Sequence, residues 1–166
     1  MWQRRRAYDG QKLRILLVED NPDLLRVESH LLQRNRGWVV LAAGQEYRDA
    51  SSYTSDLKPQ VVVLDLDRPA ADGLETILHL RNVLPGVGII GLTLSNGSAY
   101  RQAALAAGAD DVVCKADMVQ DLPPAIQRVG RQRPSRRRRM RLAERWLRRR
   151  VGRPLGPYVS GRRLGA

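Results

Sequence analysis

Val61-Val62-Val63-Leu64-Asp65-Leu66-Asp67-Arg68-Pro69-Ala70-Ala71-Asp72-Gly73 is the stretch that decides the fold. An aliphatic run leads straight into an acid, and a turn marked by Pro69 and Asp72-Gly73 follows. A short continuous apolar run bounded by turn residues reads as a strand buried on both faces of a parallel sheet. Three other runs repeat the form. Arg14-Ile15-Leu16-Leu17-Val18 leads into Glu19-Asp20, Ile89-Ile90-Gly91-Leu92 into Thr93, and Val112-Val113-Cys114 into Lys115. In open α/β sheets, ligands bind beyond the carboxyl ends of the strands. Parallel neighbours would therefore bring Glu19, Asp20, Asp65, Thr93 and Lys115 to one rim. Three carboxylates, a hydroxyl and an amine suit a hard divalent cation and a phosphoryl group.

Outward from these runs, the chain alternates strand and helix. Strands are expected at 13–18, 38–42, 61–64, 87–92 and 111–114. Asn21 or Asp20 can cap a helix with Pro22 in its first turn, whose apolar period is Leu24, Val27, Leu31 and Leu32. Further helices are expected over 46–57, from Leu74 to Leu84, over 98–107, and from an Asp121 cap, with Pro123 and Pro124 in the first turn. Strict alternation implies a parallel sheet with helices on both faces.

The charge is unevenly placed. Residues 1–130 hold 15 Lys+Arg against 16 Asp+Glu, whereas residues 131–166 hold 14 Arg and one acid, Glu144. The expected organisation is a polar lead-in at 1–12, one globular unit at 13–130 and an Arg-rich tail at 131–166. The single cysteine, Cys114, excludes an intrachain disulfide and reads as a small core residue. No secretory signal or long apolar run is present, so the cytoplasm is the expected location.

The chemistry follows from the acids. Glu19, Asp20 and Asp65 could hold Mg²⁺, which takes one or two carboxylates, waters and phosphoryl oxygens. A carboxylate can also act as nucleophile and become an aspartyl-phosphate. Asp65 is placed for that role, with Lys115 and Thr93 supplying a positive charge and a hydroxyl to the transferred group.

These elements together resemble the receiver domain of two-component response regulators. The acid pair Glu19-Asp20, the segment Val62 to Gly73, the pair Leu92-Thr93, and Gly108-Ala109-Asp110-Asp111 leading to Lys115 agree with the family in order and spacing. The resemblance implies a flavodoxin-like doubly wound sheet, order 2-1-3-4-5. It implies that Asp65 accepts phosphate from a sensor histidine kinase. It adds the backbone carbonyl of Asp67 to the Mg²⁺ ligands Glu19, Asp20 and Asp65. Such a domain is a phosphoacceptor rather than an enzyme, and it signals by changing a downstream protein contact or by forming a homodimer.

The sequence departs from the family at three places. Leu94 replaces a small residue after Thr93, Val112 replaces the aromatic switch residue, and Arg68 stands where an apolar side chain is common. The expected consequences are crowding at the phosphate by Leu94, loss of the usual Thr-to-aromatic coupling, and an Arg68 that is solvated, with reach to the phosphate entrance as the alternative. These departures keep open a degenerate receiver that acts as a binding module.

Other readings are weaker. Asp65-Leu66-Asp67 also resembles the first motif of haloacid-dehalogenase-type phosphatases, but residue 69 is Pro and the acid pair comes first. Gly86-Val87-Gly88-Ile89-Ile90-Gly91 enters a strand instead of leaving one, so it reads as strand and turn glycines rather than a dinucleotide loop. His30 and His79 lack metal spacing and read as surface or satisfied core histidines.

The tail carries its own expectation. Thirty-six residues after Gly130 leave no room for a standard output domain. Ser135 to Val151 reads as a basic amphipathic helix, with Met140, Ala143, Leu147 and Val151 on one stripe. Such a segment suits nucleic acid, an anionic surface or an acidic partner.

Overall fold

The structure is a computed structural model, and it describes residues 12–43, 57–67 and 72–131. The helix expected over 46–57 (all but Leu57), the environment expected for Arg68 and Pro69, and the helix expected over 135–151 lie outside the described residues.

Five parallel strands form one sheet: β1 (Leu13–Val18), β2 (Trp38–Ala43), β3 (Val61–Asp65), β4 (Gly88–Thr93) and β5 (Asp111–Cys114). Their order is β2-β1-β3-β4-β5, the flavodoxin-like arrangement. Four helices are described: α1 (Pro22–Gln33), α2 (Gly73–Val83), α3 (Ser98–Ala107) and α4 (Met118–Arg131).

The alternation along β3 shows why the runs are continuously apolar. Val62 and Leu64 face a core built with Leu74, Ile77 and Leu80 of α2 and Ala104 and Ala107 of α3. Val61 and Val63 face the other core, with Leu32 of α1 and Leu122, Ile126 and Val129 of α4. Both faces are covered, so both positions of the pleat must be apolar. Gly88 allows α4 to approach β4, since a Cβ there would lie 2.3 Å from Val129 Cγ1. Gly88 and Gly91 are thus strand glycines, as their context predicts.

Helix starts and stops follow local chemistry. Asn21 caps α1 by accepting from the N–H groups of Asp23 and Leu24, with Pro22 next in line. Asp72 caps α2 through the Leu74 N–H. Gly108 ends α3 at φ +118, a left-handed conformation that glycine adopts without a Cβ clash.

Three expectations need correction. The buried stripe of α1 includes Glu28 and Leu32, while Val27 is 52% exposed. The face packed on the sheet is set by Leu25, Glu28 and Leu32, spaced three and four apart. α4 begins at Met118, directly after a 3₁₀ turn at Lys115–Asp117, so Asp121 does not cap it and both prolines lie inside. Buried Met118 and Leu122, four apart, anchor this early turn to the core. Pro123 and Pro124 lack the N–H groups that would reach Val119 and Gln120, and both of those residues are exposed to water. Cys114 is half-buried at the end of β5 rather than a core residue.

Candidate functional site at the carboxyl rim

Strand register builds the site. Val18 pairs with Leu64, so Glu19 follows β1 level with Asp65 at the end of β3. Thr93 ends β4 opposite Cys114, which sets Lys115 just past β5. The rim therefore gathers Glu19, Asp65, Thr93 and Lys115 from four strands.

Lys115 is the centre. Its Nζ lies 2.9 Å from Glu19 Oε2 and 2.9 Å from Asp65 Oδ1. The Glu19 partner is 96 residues away in the chain. Burial works against the Lys115 charge, but hydrogen bonds to Asp65 and Glu19 and the charges of both outweigh it, and its pKa is raised. The ammonium is fixed and charged. Asp65 Oδ1 also accepts from the Asp67 N–H at 3.1 Å, and Glu19 Oε1 accepts from the Asn21 N–H at 2.9 Å. Asp20 follows Glu19 in the turn before α1, where Asn21 takes over the capping role.

Thr93 is 2% exposed. Its hydroxyl donates to Asp67 Oδ1 at 3.1 Å and accepts from the Ser95 N–H at 3.0 Å. The Leu94 N–H donates to Asp67 Oδ2 at 2.5 Å. The Leu94 side chain is 71% exposed, so its backbone amide faces the site more directly than its side chain. Val112 is buried on the α2–α3 face.

Two groups near the rim escaped the sequence reading. Glu28 is 1% exposed and its Oε1 has no hydrogen-bond partner among the described residues. Burial, then the negative charge of Glu19, push its carboxyl up to about 7, with Asp65 adding and Lys115 opposing. The signal was its place three after Leu25 and four before Leu32. Tyr100 of α3 donates its hydroxyl to the Leu66 carbonyl at 3.3 Å. Burial and the charges of Asp67, Asp72 and Asp65 raise its pKa.

Among the described residues no group of three His, Cys, Asp or Glu side chains forms a metal cage. The oxygen-only donors at this rim fit Mg²⁺ nonetheless, because that ion keeps several waters and adds phosphoryl oxygens. His30 and His79 are exposed. No described helix is long and apolar enough to cross a membrane.

The chain is similar to known proteins. Residues 15–127 match the response regulator receiver domain family. The chain is 36% identical over 118 residues to the probable transcriptional regulatory protein TcrX of Mycobacterium tuberculosis, covering 71% of this chain and 49% of that protein. It is 31% identical over 119 residues to the virulence transcriptional regulatory protein PhoP of Salmonella typhimurium, covering 72% and 52%. The chain thus spans about half the length of these curated relatives. A LuxR-family two-component response regulator from Aurantimonas superposes with a TM-score of 0.69 at 27% identity, over 81% of this chain and 97% of that one. Sheet order and a match over most of the chain agree: this protein belongs to the response regulator receiver domain family of two-component signal transduction.

Proposed function

We propose that Asp65 is the phosphoacceptor of a phosphorelay and that its donor is a sensor histidine kinase. The observation that carries this is the Lys115 ammonium held 2.9 Å from both Asp65 and Glu19. A cation fixed against a nucleophilic carboxylate is ready to accept a new phosphoryl oxygen as a partner.

In the transfer, an Asp65 oxygen forms a bond to phosphorus as the bond from phosphorus to the donor histidine nitrogen breaks. Lys115 and the Thr93 hydroxyl then bind the equatorial oxygens, where the negative charge is spread. Glu19, Asp20, Asp65 and the backbone carbonyl of Asp67 would hold Mg²⁺. When bound, Mg²⁺ neutralises the charge that develops between donor and acceptor. The domain is a cytoplasmic switch rather than an enzyme in its own right. It passes the signal on through a downstream protein or through a homodimer.

The test is incubation with acetyl phosphate and Mg²⁺, read by intact mass. Wild type gains one phosphoryl group and Asp65→Asn gains none. An unlabelled wild type, or equal labelling of the variant, overturns the reading.

One second reading has its own support. The 14 arginines in residues 131–166 suit contact with nucleic-acid phosphates. Duplex-DNA binding whose log–log salt slope is roughly −0.9 per phosphate contacted, lost on deleting 132–166, would support it. Unchanged binding after deletion removes it.

A further inference from the structure

We infer that the Asp67 carboxylate is an internal stand-in for the phosphoryl group, latched onto the Thr93 hydroxyl that phosphorylated Asp65 needs and onto the Leu94 N–H beside it. The inference rests on the phosphoacceptor reading and adds a residue that sets its threshold.

The geometry is specific. Asp67 Oδ1 takes the Thr93 hydroxyl at 3.1 Å and Oδ2 takes the Leu94 N–H at 2.5 Å. Its own backbone N–H rests on Asp65 Oδ1. Asp67 thus bridges the end of β3 and the end of β4, with an anion seated on two donors. A carboxylate and a phosphoryl group present the same kind of charged oxygen to such donors. Thr93 is buried, so its hydroxyl has little choice of partner, whereas Asp67 is exposed and can swing into water. A phosphoryl group on Asp65 brings nearly two negative charges beside the Asp67 carboxylate. Repulsion and competition for the Thr93 hydroxyl then release the latch together. The exposed residue moves, and the buried core does not repack.

The latch makes the resting state self-satisfied. It costs phosphoryl affinity, because the new oxygen must displace a charge-assisted hydrogen bond. Removing Asp67 frees the donors.

The test uses the full chain with beryllofluoride and Mg²⁺ as the phosphoryl mimic. Asp67→Ala should bind it about tenfold more tightly than wild type, the worth of one net hydrogen bond. Asp67→Asn, which keeps one acceptor without charge, should fall between. Before the mimic is added, the Leu94 amide proton resonance should lie downfield in wild type and move upfield in Asp67→Ala. Equal or weaker binding by Asp67→Ala, where wild type binds, overturns the latch. Tighter binding with an unmoved Leu94 resonance also overturns it, in favour of plain charge repulsion. Failure of every protein to bind overturns the phosphoacceptor reading itself, and the latch with it.

Discussion

The amino rim and the carboxyl rim of the sheet each bury a cation against an acid. At the amino rim, Arg81 is wholly buried at the end of α2. It donates to the carbonyls of Gly108 and Val87 at 2.7 and 2.6 Å and to Asp110 Oδ2 at 3.0 Å. Asp110 in turn accepts from the Ile89 N–H. That cluster ties α2 to the turns before β4 and β5, and a single acid is balanced there by a single cation and fixed dipoles. At the carboxyl rim, Lys115 is, among the described residues, the one cation that faces Glu19, Asp65 and the raised carboxyl of Glu28, with Asp20 and Asp67 close in sequence. Acids outnumber the cation. One rim is saturated by its own backbone and serves the fold. The other keeps an excess of acids that a divalent cation can correct.

The contrast breaks most visibly at Arg81. Arg81→Leu should destabilise the protein by about 3–5 kcal/mol in urea unfolding, because Asp110 and two carbonyls lose a buried partner. A cost near zero would make the amino rim as dispensable as a surface pair.

Glu28 should show the opposite sign. Its folded pKa of about 7 lies above the ordinary value of 4.5. Between those two values the unfolded chain has lost the proton and the folded one keeps it. Stability therefore falls as pH rises from about 4.5 to about 7, and then levels. Without Mg²⁺, Glu28→Gln should remove that fall and stabilise the protein at pH 8 by on the order of 2 kcal/mol. A parallel pH profile for both proteins would show that Glu28 shares no burden with the site.

Magnesium gives the smallest effect. At ten times its Kd it should stabilise wild type by about 1.4 kcal/mol, and Asp65→Asn by less. Equal stabilisation of both would place the ion elsewhere.

Much of this was legible in the sequence. The apolar runs announced the strands because both sheet faces are covered, and each run ended on the residue it delivers to the rim. The glycines of 86–91 declared themselves as turn and strand residues by entering β4, with Gly86 in the turn and Gly88 and Gly91 in the strand. Single charged residues were harder to read. Glu28 sits among polar neighbours on a helix, so Val27 looked the better core residue. Arg81 in a last helical turn looks like an ordinary solvated end. The Asp67 side chain meets partners 26 and 27 residues away, and only the paired geometry of β3 and β4 reveals them. Pro123 and Pro124 looked like first-turn residues, but Met118 and Leu122 hold the helix one turn earlier.

The most direct measurement locates the phosphoryl group. Borohydride reduction converts an aspartyl-phosphate to homoserine, and peptide mass spectrometry then reads its position. After treatment with acetyl phosphate and Mg²⁺, homoserine is expected at position 65 and nowhere else. Homoserine at position 20 or 67, or at no position, would contradict Asp65 as the phosphoacceptor.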